Sequence, residues 1–316
     1  MSAPLPQLPR PRLPEWIRVK VHTGGNRADV GGLVQDLRLN TVCQSARCPN
    51  LGECWHQRSA TFMILGNRCT RACKFCAVQS FRPEPVEADE PERVAEAAAR
   101  MALRYVVITS VQRDDLPDKG AGHFARTIAA VRARLPHAGI EVLTPDFKGR
   151  EELLDVVLAA RPTVFNHNVE TCERLSPPLR SGGRYDRSLG LLRAARARSG
   201  GRLAVKSGLM VGLGETDAEV EQTLRDLLAH GVQILTIGQY LPPTATHWPL
   251  ARYVEPGQFV AWARQALALG FLAAACTPMV RSSYQAERLA RRALGLRPDQ
   301  AWDEVPALAP TAAAGA

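Results

Sequence analysis

Six short apolar runs alternate with six amphipathic stretches along most of this 316-residue chain, and that alternation restricts the fold more than any other feature. The runs are TFMIL (61–65), YVVITS (105–110), IEVLT (140–144), TVFNHN (163–168), LAVKSGLMVG (203–212) and ILTIG (234–238). Between them, near 91–103, 120–135, 151–160, 186–198, 217–230 and 257–269, the patterns are helical. One helix is signed at both ends. Thr216 can cap it with Glu219 three residues on, Val220, Leu224, Leu227 and Leu228 supply its apolar stripe, and Gly231 suits its stop. Strand and helix repeated six times predict a parallel α/β sheet. It can be an open doubly wound sheet or a barrel, and periodicity does not separate the two. In both, ligands bind beyond the carboxyl ends of the strands. Polar residues crowd those ends: Cys69, the stretch from Ser110 to Asp115, Asn166 to Glu170, Gly212 to Glu215, and Gln239 with Tyr240.

Residues 1–15 carry five prolines and read as a flexible arm, and the last dozen residues read as a disordered tail. No apolar run approaches a membrane span, and the N-terminus lacks the apolar stretch of a secretory signal. The expected compartment is therefore the reducing cytoplasm, where thiols stay thiols. The net charge of +9 admits nucleic acid as a partner, yet the Lys and Arg are scattered and no aromatic-interleaved basic stripe is present. A basic face that docks an acidic protein fits the charge equally well.

Six of the eight cysteines fall between residues 43 and 76, which makes them a ligand question. Cys69, Cys73 and Cys76 are spaced C-x3-C-x2-C in a loop that follows the first strand. Three thiolates suit a 4Fe–4S cluster with one iron left open to a small molecule. A zinc ribbon needs paired C-x2-C knuckles, and only one such pair stands here. Upstream, Cys43, Cys48 and Cys54 are spaced C-x4-C-x5-C. A second incomplete set implies a second cluster whose missing ligand comes from elsewhere in the chain. Cys172 and Cys276 stand apart and read as small buried hydrophobes.

The triplet at 69–76, with Phe75 before its last cysteine, resembles the signature of radical S-adenosylmethionine enzymes. The resemblance implies a full or partial (β/α) barrel, a 4Fe–4S cluster whose open iron chelates S-adenosylmethionine, and a 5′-deoxyadenosyl radical that abstracts hydrogen from an unactivated carbon. Gly212, Gly214 and Glu215, at the end of the fifth strand, look like that superfamily's glycine-rich cofactor contact.

Both spacings together, with RSSY at Arg281–Tyr284, resemble the lipoyl synthases. The likeness runs over roughly 15–295 and includes TSVQRDDLPDKGAGHF (109–124), FNHNVET (165–171), KSGLMVGLGE (206–215) and TIGQYLPPT (236–244). It implies that Ser283 ligates the fourth iron of an auxiliary cluster held by Cys43, Cys48 and Cys54. The alternative for Ser282 and Ser283 is to cap the next helix. Asn168, Glu170, Lys206 and Glu215 are the expected wall of the S-adenosylmethionine site, with one of Asn166, His167 and Asn168 turned to the helix layer. The implied reaction places sulfur at C6 and C8 of an octanoyl-lysine on a lipoyl carrier domain or the glycine-cleavage H protein. Electrons would come from a donor such as ferredoxin or flavodoxin, and a cluster-repair carrier would rebuild the auxiliary cluster. A biotin-synthase-like or methylthiotransferase-like enzyme would share the first triplet only; an iron–sulfur carrier or a zinc module would need no such scaffold. Thr277 and Gln285 stand where most of the family has glycine and histidine, and Cys276 is near enough in sequence to compete with Ser283. The expected organisation is an arm at 1–15, a cluster-binding extension at 16–58, a partial (β/α)6 barrel at 59–275, and a C-terminal segment at 276–316.

Overall fold

The computed structural model describes residues 12–18 and 25–302. The N-terminal arm and the C-terminal tail expected from the sequence lie almost wholly outside these residues. All six expected strands form: β1 Thr61–Ile64, β2 Tyr105–Ser110, β3 Gly139–Leu143, β4 Val164–Asn166, β5 Ala204–Val211 and β6 Ile234–Gln239. A seventh, β7 Ala273–Cys276, adds to them. Its sequence, AAAC, has no branched or alternating pattern to mark it. It is a strand because it pairs with β6, Ile234 opposite Ala273 through Ile237 opposite Cys276, and tertiary context outweighs the weak propensity of alanine. The barrel therefore has seven strands among the described residues, and the boundary expected at 275 cuts through its last one.

Each strand pairs in parallel with the next in chain order. A doubly wound sheet reverses order at a switch point. This one never does, which makes it a partial barrel. Alternation along the strands divides the apolar residues into two cores. Val106, Ile108, Ile140 and Val142 face outward to the crossover helices and join the main core. Tyr105, Val107, Val164, Ala204, Ile234 and Ala273 face inward near the strand starts. That lower lumen is filled by the helix Ala286–Leu294 and by Trp302. The Trp302 ring lies 4.8 Å from that of Tyr105, and the Arg291 guanidinium stands over it. The C-terminal segment is thus part of the barrel's packing.

The crossover helices form where the periodicity places them, Glu90–Arg100, Ala121–Arg134, Glu151–Ala159, Tyr185–Arg198, Asp217–Ala229 and Pro256–Leu269. The capping box of Thr216 and Glu219 is present in both directions, and Gly231 follows the helix with φ +80°. Ahead of β1, three helices, Gly25–Asp36, Val42–Ser45 and Leu51–His56, form a cap on the strand ends. Trp55 is buried there; a Cβ at Gly31 would come within 3.2 Å of its ring. The cap is tied to the sheet by the Met63 amide, which donates to the Asn40 carbonyl at 2.8 Å.

Candidate active site

The loop from Cys69 to Cys76 crosses the carboxyl ends of the strands, as expected, and every contact that holds it reaches a strand end or the loop beyond one. Cys69 sits in a two-residue parallel ladder, Arg68–Cys69 against Gln79–Ser80. The Thr70 amide and hydroxyl both donate to the Gln112 carbonyl beyond β2. Arg71 is the main clamp. Its guanidinium donates to both Asp114 oxygens at 2.7 and 3.1 Å and to both Asp146 oxygens at 2.8 and 3.1 Å. Burial acts to raise the Asp146 carboxyl, yet the hydrogen bond and charge of Arg71 hold it well below the usual carboxylate range. The Lys74 amide donates to Leu179, the Trp248 amide donates to Lys74, and the His247 ring meets the Cys76 carbonyl at 3.1 Å. Thus the stretch from Ser110 to Asp115, expected at the site for its polar content, serves it by anchoring the cysteine loop.

The second set lies in the cap. Cys43 and Cys54 sit on its two short helices and Cys48 in the turn between them. The segment from Met279 to Tyr284 closes over them. The Asn50 amide donates to the Met279 carbonyl at 2.6 Å, and the Tyr284 hydroxyl donates to Glu53 at 3.0 Å. Val280 can reach this position because residue 238 is glycine: a Cβ there would lie 2.1 Å from the Val280 oxygen.

The second set and Cys76 of the first line one cavity of about 430 Å³, whereas Cys69 and Cys73 stand behind its wall; the volume is within the range of small-ligand sites. Cys43, Cys48, Cys54 and Ser283 line one side, and Cys76, Asn168 and Glu170 line another. Within each set the thiols act on one another. Burial first, then repulsion from Cys43 and Cys48, pushes the Cys54 thiol up to about 12. Burial does the same to Cys76, also to about 12, with Cys73 and Cys69 adding to it. Such thiols give up their protons to a metal, so metal loading releases protons. No three His, Cys, Asp or Glu among the described residues converge as a single ion requires.

The other expected site residues divide in two. Asn168 and Glu170 are on the cavity wall. Glu170 has φ +69°, a left-handed conformation that costs a non-glycine residue energy and is often found at working sites. Burial pushes its carboxyl up, against the pull of Arg180 and Asn168. Of the three candidates in FNHN, His167 is the one turned outward, bonded to the Thr144 carbonyl and to Ser188 on a crossover helix. Lys206, Gly212, Gly214 and Glu215 do not reach the wall. Lys206 does face the lumen, but its ammonium is fully buried against Glu141 at 2.8 Å, on an oxygen shared with Asn166. The Glu215 carboxylate is consumed by its own loop, where it accepts the amides of Gly212 and Leu213. Gly212 is needed for packing, since a Cβ there would meet the Gln239 side chain at 2.2 Å.

Neither Ser282 nor Ser283 caps the last helix, whose N-cap is Gln285. Gln285 takes the left-handed conformation, φ +51°, whereas Thr277 is not among the residues with positive φ. Threonine at 277 therefore meets no φ demand that only glycine could satisfy. Cys276 is buried in the main core and does not line the cavity. Sequence reading passed over Arg71, Asn50, Glu53 and Gly238. Arg71 carried a signal, as a charged residue between two metal-ligand candidates; the others had none without the partner segment in view.

A barrel of this order, with this triplet across its strand ends, defines a class, and comparison agrees: the Radical SAM superfamily matches residues 63–227. The lipoyl synthase of Rubrobacter xylanophilus is 51% identical over 288 residues, covering 90% of this chain and 89% of its own length. That of Thiobacillus denitrificans is 53% identical over 285 residues, covering 90% and 91%. Methylornithine synthase (PylB) superposes with a TM-score of 0.54 at 15% identity, covering 75% of this chain and 72% of its own. The hydrogenase maturase HydG of Carboxydothermus hydrogenoformans gives 0.52 at 12% identity, covering 84% and 78%. These two likenesses are of fold alone. The chain belongs to the lipoyl synthase family of the radical S-adenosylmethionine superfamily.

Proposed function

We propose that the chain converts octanoyl-lysine on a carrier protein to lipoyl-lysine, with two 4Fe–4S clusters held at two places in one cavity. Cys69, Cys73 and Cys76 would hold the first, and Cys43, Cys48, Cys54 and Ser283 the second. When bound, the clusters and S-adenosylmethionine supply the radical that takes hydrogen from C6 and C8 and the sulfur that replaces it. The chain's residues do the rest. Asn168 and Glu170 orient the cofactor from the wall. The cap and the RSSY segment exclude water from the radical. One observation carries the reading: four residues from opposite ends of the chain, Cys43, Cys48, Cys54 and Ser283, line the same cavity as Cys76.

The net charge of +9 supports docking of an acidic carrier domain or glycine-cleavage H protein, in which case binding weakens as salt rises. A ferredoxin or flavodoxin is the proposed reductant, and an iron–sulfur carrier the proposed restorer of the auxiliary cluster. No helix among the described residues is long and apolar enough to cross a membrane. The cytoplasm, whose reducing conditions keep all eight free cysteines available, is the proposed compartment. The test is anaerobic turnover with dithionite, S-adenosylmethionine and an octanoyl-lysine peptide, followed by mass spectrometry. The expected course is a one-sulfur intermediate maturing to a two-sulfur product with 5′-deoxyadenosine. Deoxyadenosine with no sulfur on the peptide would overturn the lipoyl assignment.

A further inference from the structure

Ser282 stands beside the proposed iron ligand, and its side chain is held by a residue distant in sequence. The Asn168 amide nitrogen donates to the Ser282 hydroxyl at 2.8 Å, across 114 positions of sequence. Asn168 is 8% exposed and belongs to the end of β4, on the wall facing the first cysteine set. Its amide oxygen is buried and has no partner in the protein. An orphaned buried acceptor is costly and calls for a donor from outside the chain. The residue thus has two ends. One grips the RSSY segment, and the other is unsatisfied until a donor enters the cavity.

We propose that Ser282 is a positioning residue and that its bond to Asn168 couples occupation of the S-adenosylmethionine site to the seating of Ser283 on the auxiliary cluster. The inference rests on the assignment of the two sites made above. A donor that satisfies the Asn168 oxygen fixes the amide plane, and the fixed amide holds Ser282. Ser283, one peptide away, is then held against Cys43, Cys48 and Cys54. With the site empty, the amide is held only through its nitrogen, by Ser282 and Glu170, and the segment is less firmly seated. By linkage, anything that tightens Ser283 on iron must also tighten S-adenosylmethionine binding.

The test uses full-length protein reconstituted with iron and sulfide, and it reads iron release to a chelator with and without S-adenosylmethionine. In the wild type the cofactor slows loss of half the iron, the auxiliary half. In Ser282→Ala that half is lost about tenfold faster, as removal of one such hydrogen bond allows, and the cofactor no longer protects it. Ser282→Thr, which keeps the hydroxyl, restores protection. Calorimetric binding of S-adenosylmethionine to each variant confirms that the site is filled. If Ser282→Ala carries full iron and releases it at the wild-type rate, with protection intact, the coupling is wrong. If it takes up the full iron but shows the altered electronic spectrum of a changed ligand at the auxiliary half, Ser282 is itself the ligand and the assignment of Ser283 falls. If the wild type takes up one cluster only, it is the two-cluster function that fails.

Discussion

The two cysteine sets meet at one cavity, the first through Cys76 alone, and are built in opposite ways. The set at 69–76 is local: three ligands in one loop, clamped by Arg71 to Asp114 and Asp146 and by backbone bonds to neighbouring strand ends. The set at 43–54 is completed by a segment that meets it across 229 and 231 positions, through Asn50 with Met279 and Glu53 with Tyr284. The first set can keep its geometry as long as the barrel stands. The second depends on both chain ends being in place at once. That difference suits a permanent cluster in the first and a replaceable one in the second, because few contacts need to open to expose the latter.

The largest effect is expected from the ligands. Cys73→Ala should reduce deoxyadenosine formation to background while the auxiliary half of the iron stays; Cys48→Ala should keep deoxyadenosine and lose sulfur insertion. Liquid chromatography of the nucleoside and iron analysis read both. Next is Arg71→Met. It removes the cation shared by two carboxylates and leaves Asp146 to Arg187 at 2.7 Å and Asp114 to Lys148 at 3.5 Å, for about 3 kcal/mol of lost stability, the low end for a broken buried pair, seen as a lower urea midpoint. Iron loss should be confined to the first set; equal loss from both would contradict the local clamp.

A pH effect follows from His167, beside Asn168. Burial, and then the charge of Arg180, push its imidazole down to about 4, whereas an unfolded histidine titrates near 6.5. The unfolded chain therefore binds a proton that the native one refuses. Stability is present above about pH 6.5 and is lost as pH falls toward about 4, by roughly 3 kcal/mol. His167→Gln should flatten that slope in urea titrations of the metal-free protein. Gly238→Ala should cost about 1–3 kcal/mol through the clash with Val280, and it should release iron from the second set alone. The smallest effect is that of Tyr284→Phe. Loss of one bond to Glu53 should cost about 1 kcal/mol and speed chelation of the second set modestly.

Much of this was legible in the residues. The six strands were, because short β-branched or apolar runs alternate with helical patterns, as a parallel sheet buried on both faces requires; β7 was not, because AAAC is a strand only by pairing with β6. Cys69, Cys73 and Cys76 declared a cluster by spacing alone, since a loop of eight residues must bring them together. The second set declared only that a ligand was missing. Nothing local marks Ser283, and the resemblance to a family supplied it. The directions of Lys206 and Glu215 were not legible, because sequence records charge and not direction. Lys206 does face the lumen, one layer too low, and Glu215 turns back on its own amides. Gly238 was silent because its function is to be absent where Val280 arrives.

The contrast between the two sets requires two clusters at two independent sites, the second closed by the segment from Met279 to Tyr284. Mössbauer spectroscopy of iron-57-loaded protein tests it most directly, on the wild type and on two triple variants, one with Cys43, Cys48 and Cys54 changed to alanine and one with Cys69, Cys73 and Cys76 changed. Two 4Fe–4S clusters are expected in the wild type and one in each variant, with the cluster left by the second variant altered again by Ser283→Ala. A wild type with a single cluster, or a spectrum indifferent to Ser283→Ala, would contradict it.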